Sequence, residues 1–131
     1  MSLEYSILLD YASRIGVQAN QENIPKTQIE NLLASIDLVE DPKLSLLIVS
    51  AYAHRQAARL GRGYNTARIV NEVMDKIYKS GEGKEKARFV LGLAKWIYEI
   101  TDNYRHRLPK IDINTLTFSK FLEILRSAQS K

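Results

Sequence analysis

Apolar positions recur every three or four residues along most of this chain, the period of a helix with one buried face. From Ser2-Leu3 to about Ala19, the residues Leu3, Ile7, Leu8, Tyr11, Ile15 and Val17 trace the first such stripe. A polar run from Gln18 to Asn23 follows, and Pro25 stops the helix from running through. Thr27 with Glu30 three residues on fits the capping-box pattern, ahead of a second stripe of Ile29, Leu32, Leu33 and Ile36. Asp41-Pro42 opens a third helix, with an acid at the N-cap and Pro where its missing N–H costs nothing. That helix runs to Gly61, a natural left-handed terminator.

Asn65 or Thr66 is placed to cap a fourth helix built on Ile69, Val70, Val73, Met74 and Ile77, which ends at Ser80-Gly81-Glu82-Gly83. A fifth extends from Lys84 to about Tyr104 on Val90, Leu93, Ala94, Ile97 and Ile100. Arg105 to Ile113 reads as a solvated basic linker broken by Pro109. Asn114 or Thr115 then opens a last short helix through Leu116, Phe118, Phe121, Leu122 and Leu125. No alternating run is long enough for a strand. The pattern predicts an all-α protein of one domain: a compact five-helix bundle over residues 1–104 and an additional C-terminal helix within 105–131.

The third helix carries the sharpest signal. At about 100° per residue, Leu44, Ile48, Ala51 and Tyr52 share a stripe that continues into Arg55, Arg59 and Arg62. Leu46, Val49, Ala53, Ala57 and Leu60 form a second apolar face opposite. A helix apolar on both sides at its start is expected to lie centrally, with an arginine ridge emerging where a neighbour ends. Guanidinium groups about one turn apart suit successive phosphates. Gly61-Arg62-Gly63 leaves backbone N–H groups to approach a phosphate, and Tyr64 and Arg68 stand just beyond. On the fifth helix Lys84, Arg88 and Lys95 share a face with Gly92 and offer a second basic stripe.

Charge sharpens the picture. Residues 1–50 hold 3 Lys/Arg against 7 Asp/Glu, whereas residues 51–131 hold 16 against 8. The modest net charge of +4 therefore conceals an acidic first part and a strongly basic remainder. Such asymmetry favours a polyanion on one side and a protein contact on the other. Cys is absent, which excludes disulfides, a Cys nucleophile and thiolate metal sites. Neither a long apolar run nor a basic leader is found, so a cytoplasmic protein away from membranes is expected.

Catalytic constellations are missing. His54 and His106 stand in different segments without metal-ligand spacing, and no phosphate loop or nucleophile elbow occurs. Glu72/Asp75 and Glu99/Asp102 lie at helical spacing among Lys and Arg, which suits solvated salt bridges rather than acid–base work. Trp96 lies off its helix's main stripe and reads as packing at a second interface. Tyr64 is the aromatic best placed to stack on a base. A non-catalytic protein without metal or cofactor is expected.

The run Lys26-Thr27-Gln28-Ile29-Glu30-Asn31-Leu32-Leu33, followed by Leu47 to Gly61 (LIVSAYAHRQAARLG), resembles the small helical subunit of type III, Csm-like, CRISPR interference complexes. Phe89 to Tyr104 (FVLGLAKWIYEITDNY) is similar to that family's aromatic-rich last bundle helix. The resemblance spans about residues 3–104; Glu30 stands where the family's pattern prefers a basic residue, and the tail from Arg105 exceeds the family's usual length. It implies an all-α, non-enzymatic RNA-binding subunit of an antiviral defence complex, present in several copies beside guide-RNA-binding subunits. Its partners would be guide RNA, target RNA, other CRISPR subunits and further copies of itself. Arg59 matches the arginine that closes the family's segment; Arg55, Arg62, Tyr64, Arg68, Arg88 and Lys95 are candidates from helix geometry. Two other readings are a helix-turn-helix DNA-binding regulator, centred on Asp41–Ser80 with Asn65, Thr66 and Arg68, and a helical protein-interaction adaptor that binds no nucleic acid.

Overall fold

The computed structural model describes residues 3–129, which form α1 (Tyr5–Gln21), α2 (Lys26–Ala34), α3 (Pro42–Leu60), α4 (Tyr64–Lys79), α5 (Lys84–Asn103) and α6 (Phe118–Gln129). Short 3-10 turns lie at Ser35–Asp37, Arg105–Arg107 and Ile113–Thr115, and no strand occurs among the described residues. The fold is all-α, a helical bundle with a C-terminal helix, as the periodicity predicts. Of the expected first-helix start, Ser2 lies outside the described residues, as do Ser130 and Lys131 of the tail. Among the described residues no helix is long and apolar enough to cross a membrane.

Small residues decide which helix lies deepest. On α1, Ala12, Ser13, Gly16 and Ala19 let α5 approach until a Cβ on Gly16 would lie 2.6 Å from both the Ala94 carbonyl oxygen and the Ile97 Cβ. Both helices feed every part of the interior. Leu8, Ile15, Val90 and Leu91 join the main core; Val17 and Ile97 join Ile111, Leu116 and Phe121; Ala19 and Tyr98 join Ile24 and Ile29. Burying each large apolar side chain contributes roughly 1.5–3 kcal/mol, so this α1–α5 pair is the spine of the bundle. The expectation that the third helix is central is therefore corrected. α3 buries chiefly one face, through Leu46, Val49, Ala53 and Ala57, while Leu44 and Leu47 stay exposed. On the stripe opposite, Ile48 and Tyr52 are only half-buried, Tyr52 packing in part against the main core.

Helix starts show what sequence spacing resolves and what it misses. Asp41 caps α3 as expected, its Oδ1 accepting from the N–H of Lys43 and of Leu44 at 2.9 Å each, and Gly61 ends the helix at φ 69°. The Thr27–Glu30 capping box does not form. Pro25, already extended at φ −62° and ψ 146°, is the N-cap in place of Thr27, so α2 starts two residues earlier, and Glu30 turns instead to Lys95 at 3.3 Å. Neither Asn65 nor Thr66 caps α4, which begins at Tyr64. α6 begins at Phe118, later than Asn114 or Thr115. Its first turn is held by Asp10 Oδ1, accepting from Phe118 N–H at 2.9 Å, and by Thr117 Oγ1, accepting from Lys120 N–H at 3.1 Å. The tail is no loose appendage, because Phe121 and Leu116 are fully buried against α1 and α5.

Candidate nucleic-acid interface

The corner between α3 and α4 is built on the α1–α2 connection. Glu22, at the end of α1, supplies the carboxylate that α4 lacks locally. Its Oε1 accepts from Thr66 N–H at 2.8 Å and Thr66 Oγ1–H at 2.6 Å, and its Oε2 from Asn65 N–H at 3.3 Å. Gly63, at φ 90°, packs on Ile24 so closely that a Cβ would meet its Cδ1 at 2.9 Å. Asn23 adopts φ 58°; its carbonyl accepts from Arg62 Nε at 3.1 Å and its side-chain oxygen from Arg105 at 2.8 Å. Tyr98 donates to the Ile24 carbonyl at 2.5 Å, and burial, then the charge of Asp102, pushes its phenol above the usual range. The corner is thus clamped by hydrogen bonds from three directions. Of the Gly61-Arg62-Gly63 backbone N–H groups expected to approach a phosphate, that of Gly61 donates to the Ala57 carbonyl at 2.9 Å, and those of Asn65 and Thr66 just beyond the turn are spent on Glu22.

Arg55 and Arg59 project from the exposed face of α3, one turn apart. Among the described residues neither makes a hydrogen bond, an ion pair or a ring contact, so both guanidinium groups keep their full donor sets. Arg62 follows past the helix end, committed to Asn23 through Nε alone. Tyr64, 57% exposed, opens α4, and Arg68 stands on the same outward side one turn later, also without a protein partner. The end of α3 and the start of α4 therefore carry four arginines and an exposed aromatic ring, and among the described residues no carboxylate is bonded to any of them.

The α5 candidates sit elsewhere and in a different state. Arg88 forms an ion pair with Asp37, which also lies 3.7 Å from Lys84, and Lys84 donates to the Val39 carbonyl at 2.6 Å. Lys95 is paired with Glu30. The second stripe is not continuous with the first; α2 and the turn after it lie along it and supply its counterions. Sequence reading missed these acids as partners because they are distant in the chain, although their concentration in residues 1–50 was the available signal.

The other expectations divide. Arg105 is bonded to the end of α1, so the basic linker is partly fixed, whereas Lys110 has no hydrogen bond or ion pair among the described residues. Asp75 pairs with Lys79 at 3.0 Å and Glu99 with Lys26 at 2.8 Å, as surface salt bridges. Glu72 instead accepts from Tyr11 Oη at 2.5 Å; burial first, and then this carboxylate, pushes the Tyr11 phenol far up. Asp102 accepts from Asn20 at 3.0 Å. Trp96 is 64% exposed beside the half-buried Leu93 and Ile100, an apolar surface rather than core. Among the described residues no three His, Asp or Glu side chains are grouped as a metal site. Compared with protein-family models, curated proteins and solved structures, the chain matches none.

Proposed function

We propose that this chain is a non-catalytic, RNA-binding structural subunit of a CRISPR ribonucleoprotein effector complex. The α3–α4 corner holds the sugar–phosphate backbone of guide–target RNA through Arg55, Arg59, Arg62 and Arg68, with Tyr64 available to stack. The observation that carries this reading is the freedom of Arg55 and Arg59. An exposed guanidinium without a carboxylate has its donors directed at solvent, where a phosphate is the natural bidentate partner. Such contacts give salt-dependent affinity without sequence readout, as a backbone-holding subunit requires. The exposed Leu38, Leu44, Leu47 and Trp96 suit packing against other subunits and other copies of the chain. Membership of the CRISPR complex rests on the sequence resemblance.

Against a helix-turn-helix regulator stands the composition of α4, whose outward side carries Asp75 along with Arg68 and Lys79. An acid in the middle of a recognition helix opposes entry into a DNA groove. The experiment titrates labelled single-stranded RNA, an RNA duplex and a DNA duplex at two salt concentrations, with the protein free and in its assembled complex. The expected result is salt-sensitive RNA binding that Arg55→Ala/Arg59→Ala/Arg62→Ala loses. Preference for one DNA sequence indicates the regulator instead. Binding to no nucleic acid in either state leaves the protein-interaction adaptor and overturns the proposal.

A further inference from the structure

A second polar site lies around the side of the corner. A groove of about 540 Å³ opens between the last turn of α1, the start of α4 and residues 110–114. That volume falls in the range of about 300–1,000 Å³ typical of small-ligand sites. Gln18 comes from α1, Asn65 and Arg68 from α4, and Lys110, Asp112 and Asn114 from the segment that leads to α6. Ile111 and Ile113 add apolar wall.

The hydrogen-bonding state of these groups is uneven in an informative way. The side chains of Gln18, Asn65, Arg68, Lys110 and Asn114 have no hydrogen bond or ion pair among the described residues. The nearby acids, in contrast, already serve protein donors. Asp112 accepts from Asn114 N–H at 3.1 Å, and Glu22 is spent on the start of α4. A smaller hollow of about 200 Å³ shares Arg68 and Asn114 with the groove and holds Arg14 and Glu72. There Glu72 accepts from Tyr11, and Arg14 donates through Nε to the Leu116 carbonyl at 2.8 Å. Arg68 and Lys110 thus make no ion pair among the described residues, although the Asp112 and Glu72 carboxylates keep their charge nearby, and beside them stand three uncommitted amides, each with donors and an acceptor to offer.

We propose that this groove binds one ribonucleotide, its phosphate held by Arg68 and Lys110 and its base or ribose hydroxyls read by Gln18, Asn65 and Asn114. Guanidinium and ammonium groups match a phosphate, and amides match base edges and the 2′-hydroxyl. Ile111 and Ile113 give the base an apolar surface to lie against. Resting on the RNA-binding reading, the groove takes a nucleotide turned out of a single-stranded segment whose backbone passes the arginines of α3. Lys110 thereby joins Arg68 at a defined position.

The test uses NMR titrations of the full chain with ribonucleoside 5′-monophosphates, deoxyribonucleoside 5′-monophosphates and inorganic phosphate, together with affinity for a short single-stranded RNA. Wild type is compared with Arg68→Gln/Lys110→Gln, with Asn65→Ala and with Arg55→Ala/Arg59→Ala. Thermal melting of each variant confirms that it is folded. The expected result is that Arg68→Gln/Lys110→Gln loses about tenfold in RNA affinity, the scale of charged hydrogen bonds, while Arg55→Ala/Arg59→Ala leaves the groove's response to ribonucleotide unchanged. Loss of RNA affinity in Asn65→Ala as well as in Arg68→Gln/Lys110→Gln, without a response to free monophosphate, also supports the groove, and means that the nucleotide is held only as part of a chain. Wild-type RNA and monophosphate binding in Arg68→Gln/Lys110→Gln, with RNA binding lost in Arg55→Ala/Arg59→Ala, overturns the groove and leaves the function proposed above standing on the arginines of the α3 end without Arg68. Monophosphate binding by a protein that binds no RNA, free or assembled, keeps the groove as a free-nucleotide site and overturns the RNA reading. Equal responses to monophosphate and inorganic phosphate, unchanged in Asn65→Ala, overturn the base-reading role.

Discussion

The basic side chains of α5 and those of the α3–α4 corner have similar spacing and opposite surroundings. Along α5, Lys84 and Arg88 face Asp37 and Lys95 faces Glu30, because α2 and the turn after it, drawn from the acidic first part of the chain, lie alongside. Among the described residues Arg55, Arg59 and Arg68 at the corner make no ion pair, although Glu72 shares a hollow with Arg68. A paired cation must exchange one anion for another to take a phosphate; an unpaired one sheds only water and loosely held counterions. Similar stripes of positive charge thus give unequal anion sites. The element packed beside a helix, more than the helix's own composition, decides which stripe is available.

The largest effect tests what places α5 in that setting. Gly16→Val adds side-chain atoms where one Cβ already lies 2.6 Å from the Ala94 carbonyl oxygen. Urea unfolding should show a loss of about 1–3 kcal/mol, the usual cost of overpacking, and the α5 pairs should loosen with it. A variant as stable as wild type contradicts the close α1–α5 packing. Next, Glu22→Ala removes the carboxylate that caps α4 from outside the helix. The expected loss is about 1 kcal/mol, with faster amide exchange at Asn65 and Thr66; unchanged exchange there means the cap is not holding the corner.

A smaller effect bears on the pairing itself. Asp37→Asn with Glu30→Gln strips α5 of its counterions and should turn its cations into a second anion-binding stripe. RNA affinity should rise about threefold, with a steeper salt dependence. Affinity that stays flat means that pairing is not what keeps α5 silent. The smallest effect belongs to the exposed Lys26–Glu99 pair, whose side chains are 51% and 37% exposed. The hydrogen bond from Lys26 holds the Glu99 carboxyl below its ordinary range. Its contribution is therefore complete above the free glutamate value of about 4.3 and fades as pH falls through the lower folded value. The difference in melting temperature between wild type and Glu99→Gln should be slight at neutral pH and vanish on acidification. A difference that grows on acidification reverses the assigned sign.

Local chemistry was legible in the sequence, and long-range partnership was not. Asp41 and Gly61 bound α3 where expected because both devices act within a few residues of themselves. Thr27 and Glu30 misled because the same side chains had competing options: Pro25 started the helix first, and Glu30 found Lys95 across the α2–α5 contact. The cap on α4 came from Glu22, which periodicity along α4 could not reveal. The depth of α1 was written in Ala12, Ser13, Gly16 and Ala19, residues that a search for large apolar side chains passes over. For the site, helix geometry placed Arg55 and Arg59 on one outward line. It could not separate them from Arg88 and Lys95, since the distinction lies in acids from elsewhere in the fold.

Salt dependence of single-stranded RNA binding measures that distinction directly, compared between wild type, Arg55→Ala/Arg59→Ala and Arg88→Ala/Lys95→Ala. Each lost phosphate contact should reduce the slope of log K against log salt by about 0.7, so the first variant should fall by about 1.4 while the second keeps the wild-type slope. Equal reductions in both variants, or a reduction confined to Arg88→Ala/Lys95→Ala, would contradict the assignment of the phosphate contacts to the unpaired arginines of α3.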